Sequence, residues 1–222
     1  MAILRGLKAL EGLDTGFEDG PKTKWLTLAD NESAKIRFIN ELDEDSPHFD
    51  PERNLALVVS EHSNPEDYRK KAVCTMDSEG RCFACEMYRK ETKADRDARD
   101  GKSWRPKYRF YINLLVDNGK EDPFVAVWSQ GVAKQSAFPM IKEFAIDTGS
   151  ITNREWKITR KGEGTATTYV LIPRDPDVEK YDWSGVEPYD LEKVVWQKPY
   201  AEQEDFFLGF EGSPNTTTNM DW

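Results

Sequence analysis

Three cysteines and a histidine, Cys74, Cys82, Cys85 and His62, fall within one short stretch, and the chain has no other cysteine. Cys82-Phe83-Ala84-Cys85 is a two-residue knuckle, a spacing that lets both thiolates reach one ion while backbone amides stabilise their charge. Seven residues separate Cys74 from Cys82, and eleven separate His62 from Cys74. One imidazole and three thiolates complete the tetrahedral shell of a structural zinc ion. The competing chemistry is a redox CxxC pair or three free buried thiols; the added cysteine and histidine weigh against both. His48, the other histidine, sits beside Pro47 in an expected loop and competes with His62 as a ligand. A catalytic zinc fits poorly. Nucleic-acid deaminases use an H-x-E element followed by P-C-x-x-C, whereas Ser63 and Asn64 follow His62 and Arg81 precedes Cys82. Four protein ligands also leave no open position for water.

A second constellation, Trp104-Arg105-Pro106-Lys107-Tyr108-Arg109-Phe110-Tyr111, interleaves cations with aromatic rings. Single-stranded nucleic acid is held by such a mixture, cations following phosphates and rings stacking on bases. Alternation along 107–116 places Tyr108, Phe110, Ile112, Leu114 and Val116 on one face of a strand. Lys107, Arg109, Tyr111 and Asn113 take the opposite face, and Lys35 and Arg37 project similarly from a neighbouring strand. Trp128 and Lys134 extend the surface. The bland alternative is that Tyr111 lies on a solvated sheet face and Trp128 in the core. No paired carboxylates with a recognisable motif, Ser/His/Asp set or phosphate-binding glycine loop is present, so no enzyme activity is expected.

These residues need elements to hold them. Alternation and turn residues predict strands at 25–28, 34–39, 55–60, 107–116, 123–130, 156–161 and 168–172, with hairpin turns at 29–33, at Asp117-Asn118-Gly119 and at Gly162-Glu163-Gly164. Phe138, Ile141, Phe144 and Ala145 lie at helical spacing within 136–147, ahead of Gly149. The pattern predicts a mainly β fold, an oligonucleotide-binding (OB) Greek-key barrel with a small inserted zinc subdomain; an SH3-like or sandwich arrangement shares it. The divisions are a lead at 1–22, a core at 23–174 with the zinc insert at about 61–88, an extension at 175–200 with a short helical stretch at 188–196, and an acidic disordered tail at 201–222.

The 222 residues carry a net charge of -10, which at first argues against a nucleic-acid partner. The distribution reverses that argument. Nine cations between Arg89 and Arg109 face only Glu91, Asp95, Asp97 and Asp100, whereas no Lys or Arg follows Lys198. The end combines acid with aromatic residues at Glu204, Asp205, Phe206, Phe207, Asp221 and Trp222, a composition suited to docking on partner proteins. No apolar run reaches the roughly 18 residues of a membrane span. The absence of a secretory signal, with only three cysteines, points to the reducing cytoplasm.

The ligand order His62…Cys74…Cys82-Phe83-Ala84-Cys85, together with 24–28, 34–39 and 107–116, resembles the zinc-containing single-stranded-DNA-binding proteins of tailed bacteriophages. The likeness spans roughly 24–172, and the ligand order is its specific part. The resemblance implies an OB barrel with an inserted zinc subdomain, one structural zinc ion and coating of single-stranded DNA during phage replication, recombination and repair. It further implies self-association on DNA and an acidic tail that recruits replication and recombination proteins. The chain departs from the family's pattern at its lead, where Arg5 and Lys8 are the only cations before Lys22, and at its end in Trp222. A zinc-stabilised adaptor acting through the acidic tail is the alternative reading of the same residues.

Overall fold

The computed structural model describes residues 23–209; the lead, Asp221 and Trp222 lie outside them. Seven strands form one antiparallel sheet: β1 (Ser33–Phe38), β2 (Leu57–Ser63), β3 (Lys71–Val73), β4 (Lys107–Asp117), β5 (Phe124–Gly131), β6 (Arg154–Lys161) and β7 (Thr168–Pro176). The helices among the described residues are α1 (Met76–Glu79), α2 (Phe83–Lys90), α3 (Lys93–Ala98), α4 (Phe138–Thr148), α5 (Leu191–Val194) and α6 (Tyr200–Leu208). None is long and apolar enough to cross a membrane. The strand order is β3-β2-β4-β1-β6-β7, and β5 pairs along the remaining edge of β4. No ladder joins β5 to β7, so backbone pairing leaves the sheet open there. Of the expected OB Greek-key barrel, the fold shows a mainly β, antiparallel architecture whose sheet is not closed.

β4 organises the sheet because three strands pair with it. β2 pairs with 107–111 and β1 with 114–117, while β5 runs along 109–116. Between β1 and β2, Asn40 takes over: its Oδ1 accepts from Asn113 N at 2.8 Å, and Ile39 N donates to Asn113 O at 3.0 Å. Phe110, Ile112, Leu114 and Val116 alternate into the core, where they join Ile36, Phe38, Trp156 and Ile158 and meet Ile141 of α4. The Trp156 ring packs against Phe38 and Phe144, and its Nε1 donates to Ile151 O at 3.0 Å, so the buried indole is satisfied. Gly149, with φ of 76°, terminates α4 in the left-handed region that glycine tolerates.

The opposite face of β4 is not a solvated surface. Tyr111 and Val127 pack with Leu191 and Val195 of the C-terminal extension. Asn113 pins the extension by accepting from Tyr189 N at 3.1 Å and donating to Tyr189 O at 2.9 Å. The tract 25–28, expected as a strand hairpinned to 34–39, instead lies beside β5. Trp25 bridges Val127 in parallel, with Leu26 N on Val127 O at 2.9 Å. The turn after it closes on β6 through Asn31 N to Arg160 O at 3.0 Å, because β1 already has β4 and β6 on its two edges.

Arg37 is also claimed internally. Its guanidinium makes a two-pronged pair with Asp177, at 2.5 and 3.0 Å, and stacks on Tyr181 at 4.3 Å. Both partners are largely shielded from water, which makes this fork a fastening for the chain leaving β7. Arg37→Ala is expected to lower stability by about 1–3 kcal/mol in urea unfolding, and to make 178–186 more sensitive to chymotrypsin at Tyr181 and Trp183. Unchanged stability and cleavage would show that the fork contributes nothing.

Candidate metal centre

The β2–β3 hairpin presents two ligands and the start of α2 presents the other two. His62 lies opposite Ala72 in the hairpin, and Cys74 follows β3, its N–H donating to Ser60 O at 2.8 Å. Cys82 caps the N-terminus of α2 and Cys85 stands in its first turn, so the helix's free amides lie beside both sulfurs. The four ligand atoms lie within 4.8 Å of one another. Cys85 Sγ is 3.3 Å from His62 Nε2 and 3.6 Å from Cys74 Sγ. A tetrahedral ion with metal–sulfur bonds of about 2.3 Å sets its sulfurs about 3.8 Å apart, so the cluster has the dimensions to hold one. His48 lies exposed in the loop before β2, away from the cluster, which leaves His62 as the histidine of the set.

The electrostatics also favour a cation. Burial opposes charge on Cys82, but the polar contact with His62 and hydrogen bonds from the amides of Cys85 and Thr75 outweigh it and bring the thiol down to about 6. At Cys85, burial and then the neighbouring Cys74 and Cys82 push the thiol up to about 12, and burial raises Cys74 as well. Three thiolates at this separation repel one another, and a divalent ion supplies the charge that allows all three to ionise.

The remaining nitrogen of the imidazole is held from outside the cluster. His62 Nδ1 donates to Trp104 O at 2.6 Å, which leaves Nε2 free to bind an ion. Trp104 is held in turn by Glu91, whose carboxylate accepts from Trp104 N at 3.3 Å and from Ser103 Oγ. Arg99 pairs with the same carboxylate at 2.7 Å and Arg96 at 3.7 Å, and the Glu91 side chain is shut away from solvent. A single acidic residue in the basic tract therefore anchors the segment that orients His62.

Helix α6 closes the other side. Residues 201–208 were expected within a disordered acidic tail, but they form most of this helix, and Phe206 and Phe207 are buried in the metal unit. The Phe207 ring lies 5.3 Å from Trp104 and stacks on Phe83 at 6.4 Å. Gln203, fully buried, accepts from Phe83 N at 2.9 Å inside the CxxC knuckle and donates to Thr75 Oγ1 at 3.0 Å. Asn64 Nδ2 donates to Phe207 O at 2.8 Å. The physical reason is that a unit this small cannot bury its own rings, and the apolar side of the acidic helix covers them. Glu204 and Asp205 remain exposed on the other side.

The expected DNA contacts divide into two groups. Lys35 is exposed near Asp117 at 4.0 Å, and Arg105, Lys107 and Lys134 are exposed. Arg109 is half-buried, donating to Ser129 Oγ at 2.7 Å and lying 3.8 Å from Glu61. Four contacts are corrected. Arg37 is bound to Asp177 as above. Trp104 is 4% exposed and belongs to the metal unit. Tyr111 is 2% exposed beneath the extension, donates to Glu61, and its phenol is pushed up by burial and by that carboxylate. Trp128 is buried against Tyr169. Within the tract 104–111, the ring that faces solvent is Tyr108, 63% exposed. It had been placed on the core face by alternation, which holds for its face but misses that the core ends at Phe110. Arg160 and Tyr169, which line a cleft beside β5, were also missed because their sequence neighbourhoods carry no motif.

No known family model matches the chain, and no curated protein matches its sequence.

Two outcomes follow from the geometry of the centre. Cys82→Ser is expected to reduce bound metal from about one equivalent to a small fraction and to lower the melting temperature; elemental analysis and calorimetry read both, and no change in either would overturn the ligand set. Glu91→Ala leaves every ligand intact but frees the Trp104 segment, so metal affinity is expected to fall about 10–100-fold in chelator competition. Equal affinity would show that Glu91 does not position His62.

Proposed function

We propose that this chain is a non-enzymatic, sequence-independent single-stranded-DNA-binding protein stabilised by one structural zinc ion. The observation that carries the reading is Tyr108: an exposed ring near the end of β4, flanked along the chain by Lys102, Arg105, Lys107 and Arg109 with no acidic residue from 101 to 116. Tyr108 O accepts from Val132 N at 3.3 Å, which brings the exposed Lys134 to the same end of the sheet. An aromatic face among cations is what stacking on bases and neutralising phosphates requires, and neither interaction selects sequence. Zinc is the metal that suits a closed set of three thiolates and one imidazole with no site for water.

The connectivity supports an open form of the OB barrel. Taken in chain order, β1, β4, β5, β6 and β7 pair as β1–β4, β4–β5, β1–β6 and β6–β7, with α4 lying between β5 and β6. The one junction without a ladder, β5 to β7, is spanned by the Trp128–Tyr169 ring contact at 5.4 Å. A five-stranded, partly open Greek-key barrel is the usual form of that fold. In this reading β2, β3 and the metal unit are an insertion between the first two barrel strands. The order of the metal ligands, which resembles the phage proteins, supports roles in phage replication, recombination and repair in the host cytoplasm, with self-association along the strand.

The acidic end recruits replication or recombination proteins in this scheme. Phe206 and Phe207 are engaged with the metal unit, so the exposed Glu204 and Asp205, with Asp221 and Trp222 beyond the described residues, would supply the contacts. The burial of those two rings disfavours the alternative of an adaptor that works through them.

Fluorescence anisotropy of labelled oligo-dT tests the reading. Binding is expected, with log affinity falling linearly as log salt rises, and Tyr108→Ala is expected to weaken it by about 1–3 kcal/mol. Absence of salt-dependent binding by the full chain would sink the proposal.

A further inference from the structure

Between β5 and β7, where the sheet lacks a ladder, lies a cleft of about 260 Å³. Its lining includes Arg160 and Arg109, the latter 3.8 Å from Glu61 outside the cleft, and no Asp or Glu lines it, in a chain with a net charge of -10. Arg160 is held in place by its own bonds, Nη1 to Leu28 O at 2.6 Å and Nη2 to Thr167 Oγ1 at 3.2 Å. Its Nε is buried without an acceptor, while Trp128, only 2% exposed, lines the same cleft with its indole directed to Tyr169. Buried N–H groups are nearly always paired in folded proteins, so an orphaned guanidinium N–H in the cleft lining calls for an acceptor from outside. Two guanidinium groups offer donors only, and the complementary ligand is anionic and rich in acceptor oxygens. Tyr169, in edge contact with Trp128, adds an aromatic wall.

We infer that the seam cleft is a nucleotide-phosphate site, in which Arg109 and Arg160 hold the phosphate oxygens and the aromatic wall faces the attached nucleoside. It goes beyond the coating function in resting on Arg160 and Tyr169, and it places Arg109 in the cleft rather than beside the Tyr108 ring, because successive residues of a strand project from opposite faces. The phosphate belongs to a free mononucleotide or to a strand, and the chemistry is the same for both.

Calorimetric titration of the full chain with dTMP, inorganic phosphate, thymidine and unphosphorylated oligo-dT tests it. Saturable dTMP binding is expected, with inorganic phosphate competing and thymidine failing to bind. Competition by unphosphorylated oligo-dT assigns the site to strand phosphates; its failure to compete assigns it to terminal or free ones. Gln130→Glu, which places a carboxylate in the cleft lining, is expected to weaken dTMP binding by about ten-fold or more without lowering the melting temperature. Arg160→Lys should retain part of the binding that Arg160→Gln loses. No dTMP binding at millimolar concentration, equal binding of thymidine, or an unaffected Gln130→Glu variant would each overturn the site. Tyr108→Ala is expected to spare dTMP binding. Failure of the wild-type chain to bind oligo-dT, with dTMP binding intact, would refute the coating reading and leave the cleft standing.

Discussion

From Phe110 to Leu114, β4 is buried on both faces, and the rest of the molecule is arranged to satisfy it. A strand with Phe110, Ile112, Leu114 and Val116 on one face needs a core, and a strand with Tyr111 and Asn113 on the other needs polar partners under cover. Glu61 meets the Tyr111 hydroxyl, and the Tyr189 backbone meets both ends of the Asn113 amide. Those bonds oblige the C-terminal extension to cross the sheet. Having crossed it, the chain hydrogen-bonds β3 through Val73 N to Trp196 O at 2.9 Å and delivers α6 to the metal unit. Coverage of one strand thus sets the path of the chain from Tyr189 to Gly209.

The metal unit is assembled from three separate parts of the sequence. The hairpin and α2 contribute ligands, the segment after α3 contributes the Trp104 carbonyl that fixes His62, and α6 contributes the rings that seal the side. Such a unit has too little apolar surface to fold by burial alone, and an ion held by the four ligands would supply further cohesion. The Gln203 bridge to the knuckle amide ties the helix to the same few residues that surround the ion. Metal occupancy and docking of the acidic helix are therefore coupled through shared contacts rather than through distance.

Net charge says little about where an anion can bind, because the potential at a site is set by the charges nearby and by the low-dielectric walls around them. Here the acids are spread over the surface while the tract from 101 to 116 and the cleft beside β5 contain none. Glu91, the one acid deeply embedded in the basic tract, is already neutralised by Arg96 and Arg99, and its work is to hold Trp104. Exposed cations beyond that cluster keep their charge available to a partner.

Residue type and spacing alone picked out the four residues that the fold brings close enough to hold a metal ion, because three thiolates and an imidazole at such spacing suit a tetrahedral shell. Alternation likewise located β1, β4, β5 and the helix α4, since period-2 and period-3.6 patterns reflect burial directly. What alternation could not reveal was which second face would be covered. Arg37, Trp104, Tyr111 and Trp128 read as surface groups until the extension, the Glu91 segment and β7 were brought against them, and Tyr108 read as core until the core proved to end one turn of the pleat before it. The acidic helix posed the same problem: Phe206 and Phe207 mark an apolar side, but only the metal unit supplies its partner. A sequence determines chemistry and local period because these belong to neighbouring residues; coverage belongs to residues far apart in the chain, and only tertiary packing decides it.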